Sequence, residues 1–218
     1  MSTGVLQNRR AAIHGSLFFA ALVIVTVGFP LLRWPWYLAL PLLIYGVIVL
    51  VMGPLRRTAP KLAFGRMSGR PLVGAAILAL TTTSVLVGFQ VLIRPDVNDL
   101  AAKLPVDWFG NLFLAGVCFS VVNAALEELI FRGILWEVIS EEWNNLTALG
   151  VTAVLFGVGH IDGYPPGPIG AILAGLYGIA LGGLRWWTGG LALATACHVG
   201  ADATIFCILT ANGAFEVE

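Results

Sequence analysis

The residues able to do chemistry in this chain fall into three short groups. Asn123-Ala-Ala-Leu-Glu127-Glu128-Leu-Ile-Phe131-Arg132 sets two adjacent carboxylates and an arginine inside an apolar run; Leu155-Phe156-Gly-Val-Gly-His160 ends a second; Cys197-His198-Val-Gly-Ala-Asp202 lies within a third. On a helix Glu128 and Arg132 stand i,i+4 and share a face, acid before base, the favoured order. His198 and Asp202 share a face in the same way. Glu127 points about 100° away from Glu128, on the face of Asn123, with no cation on its own helix. Each ionisable group inside a membrane span costs at least about 2.5–3.5 kcal/mol, so each calls for a partner, a water-filled cavity or a function. A salt bridge accounts for Glu128 and Arg132 and leaves Glu127 unexplained.

A carboxylate and two imidazoles converging in a partly wet apolar cavity suit the activation of water. Glu127 would be the general base, and an imidazole with a carboxyl or amide would stabilise an oxyanion. Alternatively, Glu127, His160 and His198 make a His₂Glu set for a divalent metal such as zinc, with an open fourth position. The H-E-x-x-H helix and the G-x-S-x-G elbow are both missing from the sequence, and no Ser or Cys is evidently paired with a histidine. The only other histidine is His14.

These residues need elements that hold them inside a membrane. The chain has 218 residues, 58% hydrophobic and 11% charged, against about 25% charged in a soluble domain. It cannot cover a water-facing surface of its size and reads as an integral membrane protein. Its net charge is zero, with 12 basic and 12 acidic residues, so nothing points to nucleic acid. The balance is split: nine basic and no acidic residues precede Asp96, and three basic and twelve acidic follow from there. Cys118, Cys197 and Cys207 lie in apolar runs and read as small buried hydrophobes.

A bilayer core about 30 Å thick takes about 20 apolar residues per helix. Seven runs fit, at 16–33, 35–54, 71–93, 108–140, 146–161, 168–187 and 190–211. The expected fold is all-α, a polytopic transmembrane helix bundle of about seven spans, or eight. Trp34, Trp36, Trp108, Trp143, Trp186 and Trp187 mark its ends, and Trp136 alone sits inside an end turn. One integral membrane domain is expected over 1–218, with 1–107 holding the first three spans and 108–211 a core carrying the three groups. Arg9, Arg10 and the basic loop Arg56, Arg57, Lys61, Arg66, Arg70 place the N-terminus inside; seven spans then place the C-terminus outside. The first run is read as an uncleaved helix, since it lacks an A-x-A site. The first three spans are expected to hold no interior charge or histidine. Counted from the side of loop 141–146, Glu127, His160 and His198 lie roughly 25, 22 and 15 Å deep at about 1.5 Å per residue, which lets them meet in one cavity.

At these residues the sequence resembles the CPBP family, the CAAX-prenyl endopeptidases and bacteriocin-processing or immunity (Abi) proteins. Glu127, Glu128 and Arg132 match its Glu-Glu-x-x-x-Arg motif; Phe156 and His160 match Phe-x-x-x-His; His198 and Asp202 match His-x-x-x-Asn/Asp. The stretch Trp186-Trp-Thr-Gly-Gly-Leu resembles the family's text before the third motif. The resemblance covers about 108–211 and implies an intramembrane endopeptidase. In it Glu127 with His160 would position and activate water, His198 and Asp202 would stabilise the oxyanion, and Glu128, Arg132 and Phe156 would support the site. Asp202 stands where the eukaryotic prenyl-protein enzymes have Asn, so it must be protonated, orient His198 or help hold a metal. The family is labelled both metalloprotease and glutamate-type.

The expected partners are a membrane-embedded or lipidated peptide or protein substrate and the bilayer itself, in a multi-pass protein of the cell membrane. The alternative keeps the fold without hydrolysis, as a bacteriocin-immunity or scaffold protein. A proton- or ion-coupled carrier is disfavoured because neither broken helices nor an inverted repeat is visible. Elsewhere, Ala174, Gly178 and Gly182 read as a small-residue packing ridge, and Thr81, Thr82, Thr83 and Ser84 as bonding to their own helix carbonyls. Gln90 reads as structural, and Asp162-Gly-Tyr-Pro-Pro-Gly-Pro as a rigid turn, with a gate beside His160 the less favoured reading.

Overall fold

The computed structural model describes residues 3–213. Every regular element among them is helical: α1 (Thr3–Gly28), α2 (Trp36–Val51), α3 (Gly53–Arg56), α4 (Arg70–Ile93), α5 (Asn98–Ala101), α6 (Leu112–Glu128), a π-helical segment (Leu129–Leu135), α7 (Trp136–Glu142), α8 (Asn145–Gly159), α9 (Gly167–Thr188) and α10 (Ala192–Asn212). Each of the seven apolar runs is mostly helical, although 16–33 continues past the end of α1 at Gly28. Five are long and apolar enough to cross a membrane: Arg10–Gly28, Arg70–Ile93, Leu112–Glu142, Gly167–Thr188 and Ala192–Asn212. The other two, Trp36–Val51 and Asn145–Gly159, have 16 and 15 residues, about 24 and 22 Å at 1.5 Å per residue. They are shorter than the expected spans. Large apolar side chains such as Phe19, Leu80, Leu92 and Phe113 face outward, as a lipid-facing surface requires.

Punctuation sets the helix ends. α4 opens on Gly69 and Pro71 and closes with Arg94 in the left-handed region ahead of Pro95. Asn111 Oδ1 accepts the Leu114 N–H at 3.0 Å at the start of α6, and Asn144 Oδ1 accepts the Thr147 N–H at 2.9 Å at the start of α8. Gly189, at φ +73°, ends α9 with its N–H on the Arg185 carbonyl.

The chain divides into two compact units. The first comprises 1–63 and 126–152, the second 64–125 and 153–218. In the first, α1 packs on α2 and α7, and Phe18, Tyr45, Val49, Leu55, Ile130 and Ile134 form its main core. α1 begins well before residue 16, which brings His14 inside it, 1% exposed. His14 Nδ1 lies 2.8 Å from the Tyr45 hydroxyl and Nε2 lies 3.1 Å from Thr58 Oγ1. The expectation that the early spans hold no histidine is therefore wrong: the polar N-terminal turns extend the helix, and α2 and the turn after α3 supply hydroxyl partners. Trp136, the tryptophan that fell inside an end turn, is buried against Ile139 and Ala148, whereas Trp36, Trp108, Trp143, Trp186 and Trp187 are exposed.

In the second unit α10 packs on α4, α5 and α9, and α4 on α9. Leu86, Val97, Leu104, Tyr164, Phe206 and Leu209 belong to one of its cores, and Leu181, Leu184, Leu193 and Cys197 to another. Thr83 Oγ1 meets Thr204 Oγ1 at 3.1 Å, joining α4 to α10 instead of bonding its own helix, while Ser84 Oγ bonds the Leu80 carbonyl at 2.8 Å as expected. Cys207 is exposed, against the buried reading; Cys197 is buried, its Sγ 3.3 Å from the Ala75 carbonyl oxygen.

Candidate active site

Glu127, Glu128 and Arg132 belong to the first unit, where α6 passes into the π segment. All three are buried. Arg132 Nη1 donates to Glu128 Oε1 at 2.8 Å, and the guanidinium carbon stands 5.8 Å from the Phe131 ring centre. The expected i,i+4 pair is present. That it forms across a π-helical turn was not foreseen, because Leu-Ile-Phe-Arg-Gly-Ile-Leu has the hydropathy of any apolar helix.

The second unit holds the other motif residues. His160 follows the last residue of α8, and its Nδ1 lies 2.7 Å from the Phe156 carbonyl oxygen. A carbonyl only accepts, so Nδ1 is the donor of this bond. This bond occupies one of the terminal helix carbonyls and fixes the imidazole against its own helix. The Phe156 ring lies 4.2 Å from the His160 ring and 5.5 Å from the His198 ring, centre to centre. Phe156 thus touches both imidazoles. Tyr177 from α9 meets His198 edge-on at 6.1 Å.

On α10, His198 Nε2 stands 3.7 Å from Asp202 Oδ1, and both side chains are buried. Asp202 Oδ2 accepts from the Asn123 amide at 3.1 Å. The Asn123 contact was missed; its signal was a polar side chain in an apolar run, one turn before Glu127. This amide gives the Asp202 carboxyl a fixed orientation while its other oxygen faces His198.

A cavity of about 270 Å³ opens among α4, α8, α9 and α10. Its lining includes the polar residues His160, His198, Asp202, Tyr164 and Tyr177, and Phe156 with aliphatic side chains from the surrounding helices makes it mostly apolar. Thr81, Thr82 and Ala174, read as helix-bonded or packing residues, also line it. The structure therefore brings His160, His198, Asp202 and Phe156 together in one cavity of the second unit. Glu127 lies in the other unit and is not among its lining residues. Among the described residues no group of three or more His, Cys, Asp and Glu side chains is arranged to hold a metal ion.

Tyr164, in the turn after His160, also escaped the sequence reading. Its hydroxyl donates to Gln90 Oε1 at 2.9 Å and approaches the Leu86 carbonyl at 3.4 Å. Burial pushes this phenol up to about 12, so it remains a donor throughout the neutral range.

Residues 109–204 match the family described as type II CAAX prenyl endopeptidase, Rce1-like. This segment contains all three motifs, and the resemblance drawn from them coincides with the match. No curated protein and no solved structure matches the chain.

Proposed function

With residues 109–204 of this membrane protein matching the Rce1-like CAAX endopeptidases, we propose that it is an intramembrane endopeptidase. It hydrolyses a peptide bond of a membrane-anchored or lipidated substrate. The observation that carries this reading is the mostly apolar cavity in which His160, His198 and Asp202 line one wall system. An apolar cavity accepts a hydrophobic chain, and a few convergent polar groups orient it.

In this mechanism Glu127 takes a proton from water as that water's oxygen bonds to the scissile carbonyl carbon. His160, through the Nε2 lone pair, accepts a hydrogen bond from the same water and aligns it. The carbonyl π electrons move onto oxygen, and His198, oriented by Asp202, donates a hydrogen bond to the resulting oxyanion. Collapse of the tetrahedral species breaks the C–N bond, and the proton held by Glu127 passes to the departing amine. Glu128 and Arg132 hold the helix that carries Glu127. No step is routed through a metal.

The test is a comparison of membrane-peptide ends, by mass spectrometry, between wild-type cells and cells carrying Glu127→Gln, His160→Ala or His198→Ala. Each variant is expected to erase the same set of new termini. If all three keep wild-type cleavage and phenotype, the hydrolytic reading fails. Lost cleavage with an intact phenotype favours the immunity or scaffold role. Chelation of the purified protein is expected to leave hydrolysis intact; activity lost to a chelator and restored by zinc overturns the metal-free mechanism.

A further inference from the structure

The turn that carries His160 is short and closed on itself. Gly163 N–H donates to the His160 carbonyl at 2.9 Å, and Gly167 N–H to the Ile161 carbonyl at 2.9 Å. At its far end Pro165 presses on α9 where Gly170 leaves no room: a Cβ at Gly170 would collide with the Pro165 carbonyl. Between these fixed points stands Tyr164, 6% exposed, whose ring meets Phe89 edge-on at 6.2 Å and whose hydroxyl reaches Gln90 and Leu86. Both acceptors belong to α4, which precedes the matched segment 109–204. Tyr164 and Leu86 also line the same cavity as His160.

We infer that Tyr164 and Gln90 are positioning residues: their hydrogen bond ties the His160 turn to α4 and sets where the imidazole stands in the cavity. The inference rests on the hydrolytic reading above for its kinetic consequence, but its structural content stands apart from that reading. His160 is held to its own helix by Nδ1, so the imidazole moves with the turn. The turn spans only the few residues between α8 and α9, and a phenol four residues beyond His160 anchors it sideways. Without the hydroxyl the turn keeps its own backbone bonds and the Phe89 contact but loses its polar link to α4. The asymmetry between ring and hydroxyl makes the idea testable, since Tyr164→Phe removes one oxygen and keeps the packing.

The experiment uses full-length protein in nanodiscs, with Tyr164→Phe, Gln90→Met, the double variant and Gln90→Glu, which keeps an acceptor. Two readouts are taken. The first is the rate at which diethyl pyrocarbonate modifies His160, resolved by mass spectrometry; His14 and His198, both buried, are the internal references. The second is turnover of the substrate identified above. Tyr164→Phe and Gln90→Met are each expected to change the His160 modification rate severalfold and leave the references unmoved. Each should also lower kcat about fivefold with KM little changed, within what one neutral hydrogen bond supplies. The double variant should lose no more than either single one, because both remove the same bond, and Gln90→Glu should retain most of the activity. The wild-type to Tyr164→Phe ratio should stay constant from about pH 6 to 9, because a phenol with a raised pKa does not ionise there. Unchanged His160 reactivity in both single variants overturns the inference, as do additive losses in the double variant. A wild-type protein that cleaves nothing but shows the His160 shift defeats the hydrolytic reading and leaves the tether standing.

Discussion

At the residue scale, the two adjacent glutamates have separable roles. Glu128 is bound to Arg132 at 2.8 Å with both side chains buried, and removing one partner of such a pair costs about 3–5 kcal/mol because a charge is left in apolar surroundings. Arg132→Ala is therefore expected to lower the melting temperature in detergent and turnover together. Glu127→Gln should leave the melting temperature unchanged and reduce hydrolysis by about 10²–10⁴-fold, the range of a general base. Thermal unfolding and turnover measured on the same preparations decide it; normal stability with no turnover in Arg132→Ala would move Arg132 into the chemistry. The Glu128–Arg132 pair was legible in the sequence because spacing on one helix suffices to predict it. The Asn123 bond to Asp202 and the Tyr164 bond to Gln90 were not, because each joins residues more than seventy positions apart.

At the element scale, α8 and α9 approach through small residues. A methyl at Gly157 would lie 2.6 Å from the Ala171 carbonyl oxygen and 3.1 Å from the Gly175 Cα, contacts with backbone that cannot swing aside. Gly157→Ala should force the helices apart at a cost of about 1–3 kcal/mol, and it should disturb the neighbouring Phe156. Gly183, where an added methyl meets nothing within 4 Å, is the control: Gly183→Ala should be neutral or stabilising by up to about 1 kcal/mol. Equal melting temperatures for the two variants would refute the close-packing account. Of the ridge Ala174, Gly178 and Gly182 read from the sequence, Gly178 and Gly182 are buried, and α9 carries a second register of small residues at spacing four. Ala171 and Gly175 meet α8, and Ala174 lines the cavity. Hydropathy alone cannot choose between such registers, nor can it reveal the π turn after Glu128.

At the scale of the whole molecule, the all-helical membrane architecture was legible because apolar run lengths and tryptophan placement depend on the bilayer, not on tertiary detail. The grouping into two units was not, since the helical stretch Leu112–Glu142 gives its first residues to one unit and the remainder to the other. The charge split makes a topological prediction. α4 has 24 residues, about 36 Å at 1.5 Å per residue, and separates the basic loop at Lys61 from the acidic loop at Asp99. Single cysteines replacing Lys61 and Asp99 in a background lacking the three native cysteines should label on opposite sides, Asp99 in intact cells and Lys61 only after permeabilisation. Labelling of both from one side would refute the assignment.

The end of that basic loop has one more contact. Arg66 donates its backbone N–H to the Thr188 carbonyl at 3.0 Å and its Nη2 to the Trp187 carbonyl at 2.8 Å, and Phe64 accepts from the Ala192 N–H at 3.1 Å. During synthesis residues 64–66 leave the ribosome more than a hundred residues before these partners exist. This segment therefore gains these partners only after the end of α9 and the start of α10 have been made. Fastening that strap is a late event of biogenesis: a chain interrupted before the end of α9 has none of these partners, and one interrupted before α10 lacks the Ala192 bond to Phe64.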